Sequence, residues 1–199
     1  SFSWQKVLGG EGGHGVVVLS PNAIKRLSTF HPERPMPKIF RLVKNGKLIE
    51  GVYEGETLNT PSMFCVADAL DSLMWIKEIG GLTETIRRSN ENFKCLQGWV
   101  DKTPWIENLV SDPRNRSNTS VCLKFSDKRL ISLIPDEKTR FVKEFVALLE
   151  AENAAFDIKG HRNAPPGLRI WCGATINLDD IQKLLPWLEY CFHEIISSY

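Results

Sequence analysis

The sequence predicts an α/β chain that closes in a small α+β domain over about residues 101–199, and three observations carry that prediction. A glycine-rich opening runs into the short apolar run Val16 to Leu19. Apolar residues then recur at three and four between Met63 and Val100, the period of amphipathic helices. Beyond Thr103-Pro104 the spacing changes to strands alternating with helices, the rhythm of a two-layer α+β unit.

The opening reads as a loop around Lys6 and Gly9, Gly10, Gly12, Gly13 and Gly15, then a strand from Val16 to Ser20 and a helix start at Pro21. From His31 to Glu56 the chain is rich in Pro, Lys and Gly. It predicts an extended arm with a hairpin at Asn45-Gly46, the kind of excursion that reaches a partner or a site. After Asn59-Thr60-Pro61-Ser62, Met63, Val66, Ala67, Leu70, Leu73, Met74 and Ile76 mark one helix, ended by Gly80-Gly81. Leu82 to about Val100 marks a second helix, with Ile86, Phe93, Leu96 and Trp99 facing inward. Strands are expected near 119–125, 155–159 and 168–172, and helices near 137–152 and from Leu178, where Pro186 should introduce a kink.

A formal net charge of +1, with the signs mixed along the chain, leaves no broad basic face for a nucleic-acid backbone. Any anion specificity must come from a few placed residues. The five cysteines are odd in number, widely spaced and without a C-x-x-C pair, so they read as reduced thiols in a cytoplasmic protein, mostly filling the core. No apolar run approaches the length that crosses a bilayer. The opening Ser-Phe-Ser-Trp-Gln-Lys has neither an initiator methionine nor a signal pattern, and reads as a cut rather than a natural terminus.

Three clusters offer chemistry, and each also has a plain structural reading. Lys6, after Trp4-Gln5, is an activated amine or a surface lysine. Asn59-Thr60-Pro61 is an anion-binding turn or a helix cap with proline in the first turn. His161, Arg162 and Arg169 form an anion clamp or are solvated charges. No set of residues has the spacing of a metal site.

Five ordered segments resemble a known family: residues 3–11, Ser-Trp-Gln-Lys-Val-Leu-Gly-Gly-Glu; 36–41, Met-Pro-Lys-Ile-Phe-Arg; 55–62, Gly-Glu-Thr-Leu-Asn-Thr-Pro-Ser; 116–120, Arg-Ser-Asn-Thr-Ser; and 166–173, Pro-Gly-Leu-Arg-Ile-Trp-Cys-Gly. Together they are similar to the class V pyridoxal-phosphate-dependent aminotransferases, most of all to the C-terminal half of the phosphoserine aminotransferases. The resemblance implies the C-terminal part of a type I aminotransferase fold, with residues 1 to about 100 ending the large cofactor domain and 101–199 forming the small domain. It implies a pyridoxal 5'-phosphate cofactor held by Lys6, since only a primary amine can condense with the aldehyde and, once released, serve as the base that moves the Cα proton. It places Gln5 near the cofactor phosphate, with Asn59 and Thr60 reaching that phosphate from the neighbouring subunit of a homodimer.

By the same resemblance, Arg169 clamps the substrate α-carboxylate, and His161 with Arg162 receives the side-chain phosphate. The implied reaction passes an amino group from glutamate to 3-phosphohydroxypyruvate in serine biosynthesis, with pyridoxine biosynthesis as a second role. The family's ring-stacking aromatic, its pyridine-facing aspartate and a further phosphate turn precede the lysine, so the isolated chain is expected to be inactive. His14, in a glycine stretch that departs from better-known members, takes no catalytic role and reads as a structural or partner-contact residue. Two other readings stand: a class V aminotransferase of different substrate, and a non-catalytic piece.

Overall fold

The computed structural model describes residues 1–12, 14–57, 59–161 and 163–199. Its contacts define two compact units, Ser1–Trp75 and Ile76–Tyr199. Compactness thus divides the chain earlier than the domain boundary expected near residue 100. The reason lies in helix α3, Gly81–Val100, whose Leu96 and Val100 join the core of the second unit.

In the first unit, α1 (Pro21–Thr29) begins as its sequence dictates, with the Ser20 side chain accepting the Ala23 amide and Pro21 in the first turn. Strands β1 (Val43–Lys44) and β2 (Lys47–Leu48) pair antiparallel as the expected hairpin. Asn45 and Gly46 turn it with φ of 53° and 73°, the left-handed pair that a two-residue turn of this kind requires. The expected strand from Val16 to Ser20 does not form. Val16 makes a single antiparallel bridge to Phe2, and the residues after it have no ladder among the described residues, because a strand exists only by virtue of a partner. Helix α2, Met63–Ile79, starts in this unit and runs across the unit boundary.

The second unit is built on a three-stranded antiparallel sheet in the order β3 (Ile106–Asn108), β4 (Ser120–Phe125), β5 (Leu168–Trp171). Val121 pairs with Ile170 and Leu123 with Leu168. These alternate residues are buried, so one sheet face is core. Helices α5 (Pro135–Ala151) and α3 both pack on α6 (Leu178–Ile196), while α4 (Lys128–Ile131) adds Leu130 to the same core. Trp105 stacks on Phe192 at 4.0 Å, and Phe125 meets Phe141 edge-on at 4.9 Å.

Two expectations need correction here, and two short elements were not expected. The segment 155–159 makes one bridge, Lys159 to Leu168, rather than a strand, since its backbone turns through a left-handed Asp157 (φ 53°). Ile86 is exposed, because the buried stripe of α3 is Thr85, Ser89, Asn92, Leu96 and Val100, a set that polar residues begin. The short elements β3 and α4 have no periodicity long enough to read.

Candidate active site

Lys6 and Gln5 are exposed on a loop that folds back on itself. The Gly9 amide donates to the Lys6 carbonyl at 3.0 Å and the Gly10 amide to the Trp4 carbonyl at 2.8 Å. Gly10 is a glycine of necessity: a Cβ there would sit 2.9 Å from Trp4 Cδ1 and 3.0 Å from Asp68 Oδ2. The Trp4 and His14 rings stack at 5.4 Å. Among the described residues neither Trp4 Nε1 nor His14 Nδ1, both buried, has a hydrogen-bond partner. Buried polar atoms are ordinarily satisfied by protein, ligand or water.

Asn59 and Thr60 lie exposed just ahead of α2. The cap of that helix comes from Ser62, whose hydroxyl accepts the Cys65 amide at 3.3 Å and whose carbonyl accepts the Val66 amide at 3.2 Å. The capping role open to Asn59-Thr60 therefore falls to Ser62. The first turn of α2 carries no acidic residue, so its free amides and positive dipole end face no competing carboxylate of that turn. A phosphate suits such a helix start, flanked by an amide and a hydroxyl. An accessible amine at Lys6 and the orphaned polar atoms beside its loop fit a phosphorylated aldehyde cofactor, and the donors at 59–60 suit a phosphate held by a second copy of the chain.

In the second unit Arg169 sits on β5 opposite Cys122, on the sheet face that Leu168 and Ile170 do not share. Its Nη2 is 3.7 Å from Asp157 Oδ2, while its backbone amide donates to the Ile158 carbonyl at 2.7 Å. A guanidinium attended by one highly exposed carboxylate stays available, because such a pair adds little in water. His161 is exposed in the loop leading to β5, where the Gly160 amide reaches the Gly167 carbonyl at 2.9 Å. Gly167 itself crosses β4 so closely that a Cβ would run into the Leu123 carbonyl.

The Asn163 amide donates to His161 Nδ1 at 3.3 Å, which puts the neutral ring's proton on Nε2. Nε2–H is then free to donate. His161 and its neighbours line a cavity of about 250 Å³ with Thr139, Val142, Lys159 and Pro166. Arg162, the expected second member of the pair, lies outside the described residues.

One group escaped sequence reading. Arg88 donates to the Ala174 carbonyl and to Asn177 Oδ1, both at 2.8 Å. Buried Asn92 donates to the Ile176 carbonyl at 2.9 Å. Both come from α3 and hold the turn that follows the Arg169 strand. Their spacing of four on a helix face was the available signal. All five cysteines are free. Burial pushes the Cys172 thiol up to about 12 and the Cys191 thiol to about 11, so neither is a nucleophile near neutral pH. Among the described residues no group of three His, Cys, Asp or Glu gathers as a metal site, and no helix is long and apolar enough to cross a membrane.

The fold defines a class: the mixed helix-and-sheet framework is that of phosphoserine aminotransferase structures. Superposition on the enzyme from Bacillus circulans subsp. alkalophilus gives a TM-score of 0.59 at 23% identity, covering 72% of this chain and 36% of that one. The pyridoxal-phosphate-bound enzyme from Trichomonas vaginalis gives 0.57 at 22% identity, covering 69% and 36%. No family model matches the chain. Curated relatives are nearer: the phosphoserine aminotransferase of Methanosarcina mazei is 47% identical over 192 residues, 96% of this chain and 49% of its own length. That of Methanosarcina barkeri is 47% identical over 193 residues, 97% and 50%. Over nearly its whole length, then, the chain belongs with the phosphoserine aminotransferases, and it spans about half the length of the curated relatives it matches.

Proposed function

We propose that this chain supplies the lysine-bearing half of a pyridoxal-phosphate-dependent phosphoserine aminotransferase. The observation that carries the reading is 47% identity to enzymes of that name across 96% of the chain. When bound, the cofactor would supply the carbonyl that takes up an amino group and the ring that stores the electrons of Cα–H cleavage. The Lys6 amine would hold that carbonyl and, once displaced by an incoming amino acid, carry the proton from Cα. Gln5, Asn59 and Thr60 would donate to the cofactor phosphate. Arg169 would orient the amino acid through two parallel bonds to its α-carboxylate, a task for a planar guanidinium. His161 through Nε2 and Arg162 would take the substrate's side-chain phosphate, and the carboxylate of glutamate in the other half-reaction.

The net reaction in this reading converts glutamate and 3-phosphohydroxypyruvate to 2-oxoglutarate and phosphoserine, a step of serine biosynthesis. We assign residues 1 to about 100 to the end of the cofactor domain of the complete enzyme and 101–199 to its small domain. A homodimer with shared sites is part of the proposal. It is supported by α2, where Met63 and Phe64 are 75% and 74% exposed and Ala69 alone is buried. The free thiols suit a reducing, cytoplasmic setting.

The test is borohydride reduction of the full-length protein mixed with pyridoxal phosphate, followed by peptide mass mapping. The expected product is a stable adduct on Lys6. An adduct on another lysine, or none, would remove the aminotransferase reading.

A further inference from the structure

Among the described residues, the loop that carries Lys6 is hydrogen-bonded to α2 through an aspartate. Asp68, half-buried in the second turn of α2, accepts the Glu11 amide on Oδ2 at 2.7 Å. Gly10 comes so near the same oxygen that a Cβ would stand 3.0 Å from it, wedged against Trp4 Cδ1 at 2.9 Å. The Gly10 amide closes the node by donating to the Trp4 carbonyl at 2.8 Å. Trp4 and Gly10 flank Lys6 in sequence, so pinning both restricts where its amine can be. At the other end, Asp68 lies six residues after Ser62, the residue that caps α2 beside Asn59 and Thr60. A helix is a stiff spacer that rises about 1.5 Å per residue. The node therefore sets the lysine loop at a defined distance from the start of α2.

We infer that Asp68 is a positioning residue for Lys6: its carboxylate, with Gly10 and Trp4, fixes the lysine loop on α2. This rests on the reading of Lys6 as the cofactor lysine. A carboxylate suits the task because a charge-assisted bond to a backbone amide is shorter and stronger than a neutral one. Asparagine has the same shape and keeps an acceptor oxygen, whereas alanine has no acceptor.

Two measurements on the full-length protein, with Asp68→Ala and Asp68→Asn beside the native chain, test the inference. The first needs no cofactor: amide hydrogen exchange at Glu11 should accelerate about tenfold or more in Asp68→Ala, the weight of one such bond, and by clearly less in Asp68→Asn, whose neutral acceptor is weaker. The second follows the pH midpoint of the visible absorption of the pyridoxal-phosphate adduct, which reads the surroundings of the lysine nitrogen. It should move by about half a unit or more in Asp68→Ala and return in Asp68→Asn, with melting temperature little changed. A Glu11 exchange rate and an absorption midpoint both native in Asp68→Ala would overturn the inference, as would faster exchange with an unmoved midpoint. If the native protein forms no adduct on Lys6, it is the cofactor reading that fails. Exchange at Glu11 then still decides whether Asp68 fastens the loop.

Discussion

The two compact units hold themselves together by different means. Among the described residues every buried apolar side chain except Ala69 lies in Ile76–Tyr199, where helices, sheet and a run of aromatic contacts close one core. Ser1–Trp75 is organised instead by backbone hydrogen bonds, a hairpin, a capped helix and the Asp68 carboxylate, while Leu70 and Leu73 on α2 stay 57% and 52% exposed. The comparison teaches that apolar packing is concentrated in one part of this chain. The amine proposed to react sits where packing is thin, and the residues proposed to grip substrate hang on a packed sheet.

Breaking the comparison at its chemical end has the largest expected effect. Lys6→Ala in the full-length protein should reduce transamination about a thousandfold or more with little change in melting, because removing the nucleophile and proton carrier costs rate rather than packing. Steady-state kinetics beside calorimetry checks both halves of that statement. The reverse pattern is expected of Phe145→Ala, at a fully buried position of the second core. It should destabilise by about 3–5 kcal/mol in denaturant melts, the range for deleting a buried aromatic side chain.

A third substitution sharpens the contrast from within the second unit. Asn92→Ala should cost about 1–3 kcal/mol, because the Ile176 carbonyl loses its buried donor and the turn after the Arg169 strand loses its clamp. Urea titration measures the cost. Weaker binding of carboxylate ligands in the same variant would show that the clamp supports Arg169.

The smallest effect is expected from acid. Hydrogen bonds from Arg129 and Arg114 hold the Asp127 and Asp112 carboxyls below the usual range. A carboxyl whose pKa is depressed in the folded state stabilises that state above its unfolded pKa. The contribution is lost as pH falls below about 4 through the folded value. The arginine of each pair is exposed, so solvent screens both pairs, the loss should be modest, and it should shrink further in salt. Melting temperatures between pH 6 and pH 3, at two salt concentrations, test the sign.

Local chemistry made much of this fold legible. Ser20-Pro21 starts α1, Asn45-Gly46 turns its hairpin, and the apolar periods of α2, α3, α5 and α6 appear at nearly their final bounds. α6 continues through Pro186, since the helix is held by neighbours on its apolar face. The candidate residues Lys6, Gln5, Asn59, Thr60, His161 and Arg169 were likewise visible as reactive or anion-binding types.

By itself, then, the sequence determined what is local: which segments turn, which are helical, and which residue types could hold a phosphate, a carboxylate or an aldehyde. Only the tertiary structure decided what depends on partners far along the chain. It denied strands to 16–20 and 155–159, turned Ile86 outward in favour of Thr85, Ser89 and Asn92, and moved the cap of α2 to Ser62. It also bound Glu11 to Asp68, 57 residues away. The physical reason is that a propensity acts within a turn or two of its residue, whereas a ladder, a buried face and a carboxylate anchor exist only when another segment arrives to complete them.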